Sequence, residues 1–275
     1  RSNNREYLNI IDDDLPFVGS DTWNAYECSF LLDNGCPVTG VVKCVYPCSS
    51  KYIVESKSIK LYFNSFNMTR VAAERDVAIS SFEKTASRDL SDLLETDVLV
   101  RFQDGARVNK TYNSPNGAWD MDQYINVDHL EDEKDFEYTQ YTEDPSLLEA
   151  VARKRDLKQY FYSGLLKSNC RVTSQPDWGD VFIYIKSKNA IDAHSIKKYV
   201  VSYRDECHFH EEICECFYKR LKDAFDPSEL LVMCLYARRG GIDINPVRAS
   251  SQDLIDEFVG SLVDPDVVHI KTSKQ

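Results

Sequence analysis

Ser58-Ile-Lys-Leu-Tyr-Phe-Asn-Ser-Phe66 returns, with changes, as Ser195-Ile-Lys-Lys-Tyr-Val-Val-Ser-Tyr203. The offset is 195 − 58 = 137, half of the 275-residue chain. Five of nine positions are identical and the ninth is aromatic in both. The surroundings repeat as well. Ala25–Leu32 and Val38–Tyr46 have strand character and flank Asp33-Asn34-Gly35, a hairpin signal. After the shared motif, Val71–Leu94 predicts a long helix, with Val77, Phe82, Ala86, Leu90 and Leu93 on one stripe. Strand Val98–Phe102 and a turn at Asp104-Gly105 follow. In the second half, Gln159–Lys167 and Val181–Lys186 read as strands around a turn at Gln175–Gly179. Helical segments at Ser195–Tyr203 and His210–Ala224, strand Leu230–Ala237 and a turn at Arg238-Arg239-Gly240-Gly241 complete it. Each half thus reads strand, strand, helix, helix, strand, strand. That order predicts an α+β layer fold, with an antiparallel sheet and the helices on one face.

The expected division is a first module over residues 1–148 and a second over 149–275. The seam is acidic: Asp128–Asp144 holds eight acids and one lysine, and is expected as a solvated loop between the halves. Pro145–Asp156 carries helix formers and is expected to dock that linker. Charge narrows the partners. With 33 Lys+Arg against 45 Asp+Glu, the net charge is −12, and no basic face for direct nucleic-acid binding is expected. The longest apolar run, Leu230–Ala237, falls far short of the roughly 18 residues a membrane span needs. No charged-then-apolar leader opens the chain, and its nine cysteines form no C-x-x-C pair, so free thiols in a reducing cytoplasm are expected. No G-x-G-x-x-G or Walker pattern occurs, which argues against a Rossmann or P-loop nucleotide site.

Four segments carry residues suited to chemistry. Ser168–Gly179 sets Cys170 seven residues before Asp177, in a turn opened by Pro176. A thiolate is a strong nucleophile once its pKa is lowered, and a folded-back carboxyl can pass a proton. On this segment alone, a buried strand cysteine beside a turn aspartate is the commoner arrangement. Cys207–Cys216 reads two ways. As a helix it puts Cys207, His210 and Cys214 on one face, a zinc geometry lacking a separate fourth ligand. Otherwise His210 and Glu211 open a helix and face a ligand, where a carboxylate suits the paired N–H donors of a guanine-like edge. Val54-Glu55-Ser56-Lys57-Ser58 is either a polar helix cap or a site where Glu55 accepts from donors and Lys57 holds a phosphate. Arg238-Arg239-Gly240-Gly241 is a basic turn or an anion cradle.

Together these segments resemble the NADPH-dependent 7-cyano-7-deazaguanine reductases, the nitrile reductases of queuosine biosynthesis, and their longer two-module subfamily most. The resemblance rests on Glu55-Ser-Lys-Ser-Ile-Lys-Leu-Tyr-Phe-Asn-Ser-Phe-Asn67, Leu165-Leu-Lys-Ser-Asn-Cys170, Gln175-Pro-Asp-Trp-Gly179, Phe209-His-Glu211 and Arg238-Arg-Gly-Gly-Ile-Asp-Ile-Asn-Pro246. Arg1-Ser-Asn-Asn-Arg5 and Leu15-Pro-Phe-Val-Gly19 extend it toward the amino end. It implies two tandem tunnelling-fold modules. It implies that Cys170 attacks the nitrile carbon to give a thioimide while Asp177 supplies the proton, and that two NADPH per turnover deliver hydride to form the aminomethyl base. By the same match Val54, Glu55, Ser56, His210 and Glu211 contact the substrate, and Ser56, Lys57, Arg239 and Gly240 hold NADPH. It further implies a cytoplasmic homodimer acting on a free nucleobase, with no metal. Val247 departs from the family by standing where a tryptophan is expected, and the stretch between the motif halves is longer and more acidic. The competing expectations are an amidine-forming transferase or cyclohydrolase-type enzyme on the same fold, and a non-catalytic purine-binding or zinc protein.

Overall fold

The structure is a computed structural model, and it describes residues 1–104, 121–131, 137–267, 271–272 and 274–275, with the side chains of 152–156 left aside. The first half contains α1 (Ser2–Tyr7), β1 (Val18–Leu31), β2 (Pro37–Pro47), α2 (Ser56–Asn64), α3 (Arg75–Leu94) and β3 (Leu99–Asp104). A short β4 (Ile125–Asn126) leads to β5 (Ala150–Ser163), β6 (Lys167–Cys170), β7 (Pro176–Ile191) and α4 (Ala193–Val201). Then come β8 (Cys207–His208), α5 (His210–Phe225), β9 (Glu229–Tyr236), β10 (Ile242–Ala249) and α6 (Gln252–Val263). The order β3-β2-β1-β10-β9-β7-β5-β4 forms one sheet, antiparallel except where β4 meets β5, and β6 and β8 form a ribbon off the end of β7. This is the tandem α+β architecture expected. The two halves meet where β1 pairs with β10, Trp23 opposite Ile244.

The repeat is visible in the helix starts. Glu55 caps α2, its carboxylate accepting from the Lys57 and Ser58 N–H groups, and Asp192 caps α4 by accepting from His194 N–H. The offset between those caps, 192 − 55 = 137, is that of the sequence repeat. A side-chain oxygen here satisfies N–H groups that the first turn leaves open.

Alternation along the strands sorts the core. Val181, Ile183 and Ile185 of β7 and Val232 and Cys234 of β9 face α4 and α5, while Phe182, Tyr184, Leu231 and Met233 face α6. The paired helices line one face, as expected, and α6 adds cover on the other. α2 and α3 close a second core around Phe30, Phe63, Phe82 and Phe102. Residues near the amino end (Leu8, Ile10, Phe17) join the core beneath α5 rather than that of α2 and α3.

Several expectations need correction. In α3 the buried stripe is Ala78, Ile79, Phe82, Ala86, Leu90 and Leu94, and Val77 and Leu93 are exposed, each one position off the inward face. Pro145–Asp156 is not helical beyond a single turn at Pro145–Leu147; β5 starts at Ala150, because pairing with β7 outweighs helix propensity. The expected strand Gln159–Lys167 is broken at Gly164, and the turn lies at Arg171–Ser174, which leaves Pro176–Gly179 inside β7. The acidic segment is not wholly solvated: Asp128 accepts from Ser163 Oγ and Gly164 N–H, and half-buried Glu143 accepts from Arg220 and Tyr199. Its residues 132–136, the Gly105 turn and the fourth strand expected of the first half lie outside the described residues.

Candidate active site

The β6–β7 hairpin closes with Cys170 N–H donating to Gln175 O at 2.8 Å and Ser174 N–H to Cys170 O at 2.8 Å, with Ser174 in the left-handed region at φ 55°. Cys170 and Gln175 therefore face each other across the ribbon, and Asp177 lies two residues further along the same face. This is the physical content of the seven-residue spacing: it turns a thiol and a carboxyl to one side. β8 runs parallel to β6, with His208 opposite Cys170, and brings Phe209, His210 and Glu211 to the same place at the start of α5.

These groups line a cavity of about 270 Å³, near the lower end of the ligand-pocket range of roughly 300–1,000 Å³. Both halves build it. Val54, Glu55, Ser56, Lys57 and Lys60 come from the first half, with Trp23 of β1, and Cys170, Thr173, Asp177, His210, Glu211, Arg239 and Gly240 come from the second. Every residue that the family resemblance assigns to the site lies here, while Arg238 and Gly241 of the basic turn do not line the cavity. The zinc arrangement does not form: Cys207 is exposed on a strand and Cys214 is buried in α5. Among the described residues no group of three or more His, Cys, Asp or Glu is placed to hold a metal ion.

The electrostatics separate the roles. Burial pushes the Cys170 thiol up, but the Thr173 hydroxyl and the N–H groups of Thr173 and Val172 outweigh it and hold the thiol below its ordinary value. Such a cysteine is a ready nucleophile. Burial likewise raises Asp177, and His210, with Nε2 at 3.3 Å, and the Arg239 guanidinium more than offset it, so the carboxyl is lowered and anionic. Arg239 also donates to Gln175 Oε1 at 2.5 Å. The His210 ring stacks on Tyr236, with centroids 3.7 Å apart.

The two glutamates differ sharply. Glu55 spends both oxygens on its own helix, accepting from Lys57 N–H at 3.0 Å, Ser58 N–H at 2.8 Å and Ser58 Oγ at 2.9 Å. Glu211 is 1% exposed, and its Oε1 has no protein partner among the described residues. Burial, then the nearby Asp21 carboxylate, pushes Glu211 up to about 8. A buried acceptor without a donor is what the paired N–H groups of a guanine-like edge would satisfy.

The mouth is basic. Lys57 is exposed and has no ion pair among the described residues, and Lys60 pairs with Glu27 at 3.0 Å. Gly240 (φ 58°) and Gly241 (φ 78°) turn the backbone in the left-handed region beside them. At Gly241 the left-handed backbone is what favours glycine, because the nearest obstacle to a Cβ is the end of the exposed Glu27 side chain, which can move aside. Cations on a glycine turn fit the phosphates of a dinucleotide, and the missing Rossmann motif is no obstacle. Trp23, Ile242 and Ile244 carried no local signal as site residues, because the pairing of β1 with β10 brings them here, whereas Lys60 sits on α2 one turn after Ser56 and was open to helical spacing.

Fold and cavity define a tandem α+β protein whose ligand site is built from both halves and lined by an acidified cysteine. Residues 1–102 match the family model described as "Nitrile reductase, 7-cyano-7-deazaguanine-reductase N-term", and residues 176–254 match the one described as "QueF-like protein". The NADPH-dependent 7-cyano-7-deazaguanine reductase of Colwellia psychrerythraea is 39% identical over 253 residues, covering 91% of this chain and 84% of its own. Its namesake from Coxiella burnetii is 38% identical over 252 residues, covering 91% and 84%, and that from Dechloromonas aromatica 38% over 247 residues, covering 90% and 81%. The chain belongs to the family of NADPH-dependent 7-cyano-7-deazaguanine reductases, and is an oxidoreductase. The transferase and hydrolase alternatives find no counterpart among these names.

Proposed function

We propose that this chain reduces the nitrile of 7-cyano-7-deazaguanine to the aminomethyl base through a thioimide on Cys170, with two NADPH consumed per turnover. The observation that carries the reading is one cavity holding an acidified thiol, a carboxyl on the same ribbon face and an unpartnered buried glutamate. Glu211 accepts from the ring N–H and exocyclic amine, with His210 beside it, and Val54, Glu55 and Ser56 close the opposite wall. Cys170 Sγ bonds to the nitrile carbon as one π bond of the triple bond opens. The nitrile nitrogen takes a proton from Asp177. Splitting the reduction this way replaces one poor acceptor by a protonated C=N bearing sulfur, and general acid catalysis contributes on the order of 10²–10⁴-fold.

Asp177 must first gain that proton, which the Cys170 thiol gives up as it becomes the nucleophile, because His210 and Arg239 keep the carboxyl ionised in the free protein. Arg239 is also the residue assigned, with Ser56, Lys57 and Gly240, to the cofactor. Turning Arg239 toward the cofactor phosphates removes a counterion from Asp177 and favours its protonated form. NADPH, when bound, supplies hydride. After one hydride has added to the carbon, the C–S bond breaks and Cys170 departs as a thiolate, which its low proton affinity makes easy; the imine left in the site takes the second hydride and a proton to give the aminomethyl group.

The chain is expected to act in the cytoplasm as a homodimer on the free base. Support for this is its charge of −12, unsuited to nucleic acid, the absence among described residues of a helix able to cross a membrane, and the described sheet ending at β3.

The test is the intact mass of the protein after incubation with the nitrile base and no cofactor. A base-sized increment in the wild type, lost in Cys170→Ala, is expected. An increment that survives the substitution places the nucleophile elsewhere.

A further inference from the structure

Trp23 is 2% exposed, lines the cavity, and carries an indole Nε1–H with no partner. A buried indole N–H ordinarily finds an acceptor. Glu211 Oε1 and His210 Nδ1, on side chains lining the same cavity, are likewise without a partner among the described residues. The wall around Trp23 is apolar, made by Val54, Ile242 and Ile244. Trp23 lies between Cys44 of β2 and Ile244 of β10, so it is fixed at the centre of the joint between the halves. Among the described residues no acceptor of the protein reaches the indole N–H.

The ligand chemistry follows from the inventory. Glu211 offers an acceptor and Trp23 a donor that cannot accept. A guanine-like edge presents its two donor groups side by side, flanked by acceptors, the ring carbonyl on one side and a ring nitrogen on the other. We infer that Trp23 is a base-specificity residue whose indole N–H donates to an acceptor flanking the donor pair held by Glu211. The inference rests on the base-binding reading above. The pair then recognises a donor–acceptor pattern rather than donors alone, and a purine whose edge lacks the flanking acceptors is refused because it leaves the indole N–H unmade.

The chain has three tryptophans, Trp23, Trp119 and Trp178, so ¹⁵N-indole labelling gives a small, assignable spectrum. The measurement uses 7-cyano-7-deazaguanine and Cys170→Ala protein, which prevents covalent addition. Trp23→Phe assigns the resonance and keeps the ring; if that variant does not fold, Trp119→Phe and Trp178→Phe assign it by elimination. The base is expected to move the Trp23 indole proton downfield and slow its exchange. Trp23→Phe is expected to weaken base affinity roughly 3–10-fold and leave NADP⁺ affinity unchanged. An indole signal that stays put while the base binds overturns the inference and leaves the functional reading standing. No binding of the base at all overturns both.

Discussion

Glu211 holds a carboxyl where the fold would rather have none. Its ordinary value of 4.5 is raised to about 8, by burial first and by Asp21 second. Below about pH 4.5 the group is neutral folded and unfolded, and costs nothing. Between about 4.5 and 8 the unfolded chain loses the proton and the folded one keeps it, so stability falls as pH rises through that window. Glu211→Gln removes this penalty. It is expected to gain about 1–3 kcal/mol of unfolding free energy at pH 8, and nothing at pH 4. The same change removes a charged acceptor from the base site and is expected to cost about 1.5–3 kcal/mol in base affinity. Denaturant melts at the two pH values, with a binding isotherm, measure both. A variant equally stable at both pH values and binding the base unchanged would remove Glu211 from the anchoring role. Wild-type base affinity should itself climb toward pH 8, because only the carboxylate accepts from both donors.

Among the elements, α3 shows how core packing is shared. Phe82 is 1% exposed and stacks on Phe30 at 5.5 Å while meeting Phe66 and Phe102 edge-on at 4.8 and 5.4 Å. Phe82→Ala is expected to cost about 3–5 kcal/mol in a urea melt and to leave Cys170 chemistry intact in the folded fraction. A loss under 1 kcal/mol would mean that the cluster collapses into the space. The inward position of Phe82, Ala86 and Leu90 was legible from 3.6-residue spacing. Val77 and Leu93 were misplaced because that spacing defines a stripe but not its edges, which the neighbouring sheet decides. The duplicated helices were legible because the repeat keeps cap and inward residues together. The start of β5 was not, because nothing local to Pro145–Asp156 announces its partner β7. The β6–β7 hairpin lay between: the Cys170–Asp177 spacing was readable, yet the turn fell at Arg171–Ser174 because Ser174 accepts a left-handed backbone that sequence assigns more readily to glycine. Trp23 was silent for the deeper reason that one of its two strand partners, Ile244 of β10, lies more than 200 residues away.

At the scale of the whole molecule, one buried ionic network ties the amino end to both halves. Glu215 of α5 accepts from Arg5 and Arg248 at 2.9 Å and from Arg1 at 3.1 Å, and Asp21 of β1 accepts from Arg248 at 2.8 Å and from Arg1. Four elements or their flanks meet there: α1, β1, α5 and β10. Burial pushes Glu215 up, but Arg248, Arg5 and Arg1 together bring it down to about 2. A depressed carboxylate contributes stability that is present above its unfolded value near 4.5 and is lost as pH falls toward 2. The difference from 4.5 to about 2 corresponds to about 3 kcal/mol. Removing one member of such a network strands the others, so Glu215→Gln is expected to cost about 3–5 kcal/mol at pH 7. The gap to wild type should narrow as pH drops from about 4.5 to about 2, because the wild-type carboxyl is then protonated as well. Denaturant melts across that range decide it, and a gap as wide at pH 2 as at pH 7 would show that Glu215 acts by packing and not by charge. The network also bears on function. Glu215 lies one turn beyond Glu211 on α5, and Arg1 and Arg248 both lower the Glu211 value that Asp21 raises. Charges that fasten the halves therefore also set how readily the Glu211 carboxyl ionises, and on the proposed anchoring role a loosened network should shift the pH dependence of base binding along with the melt.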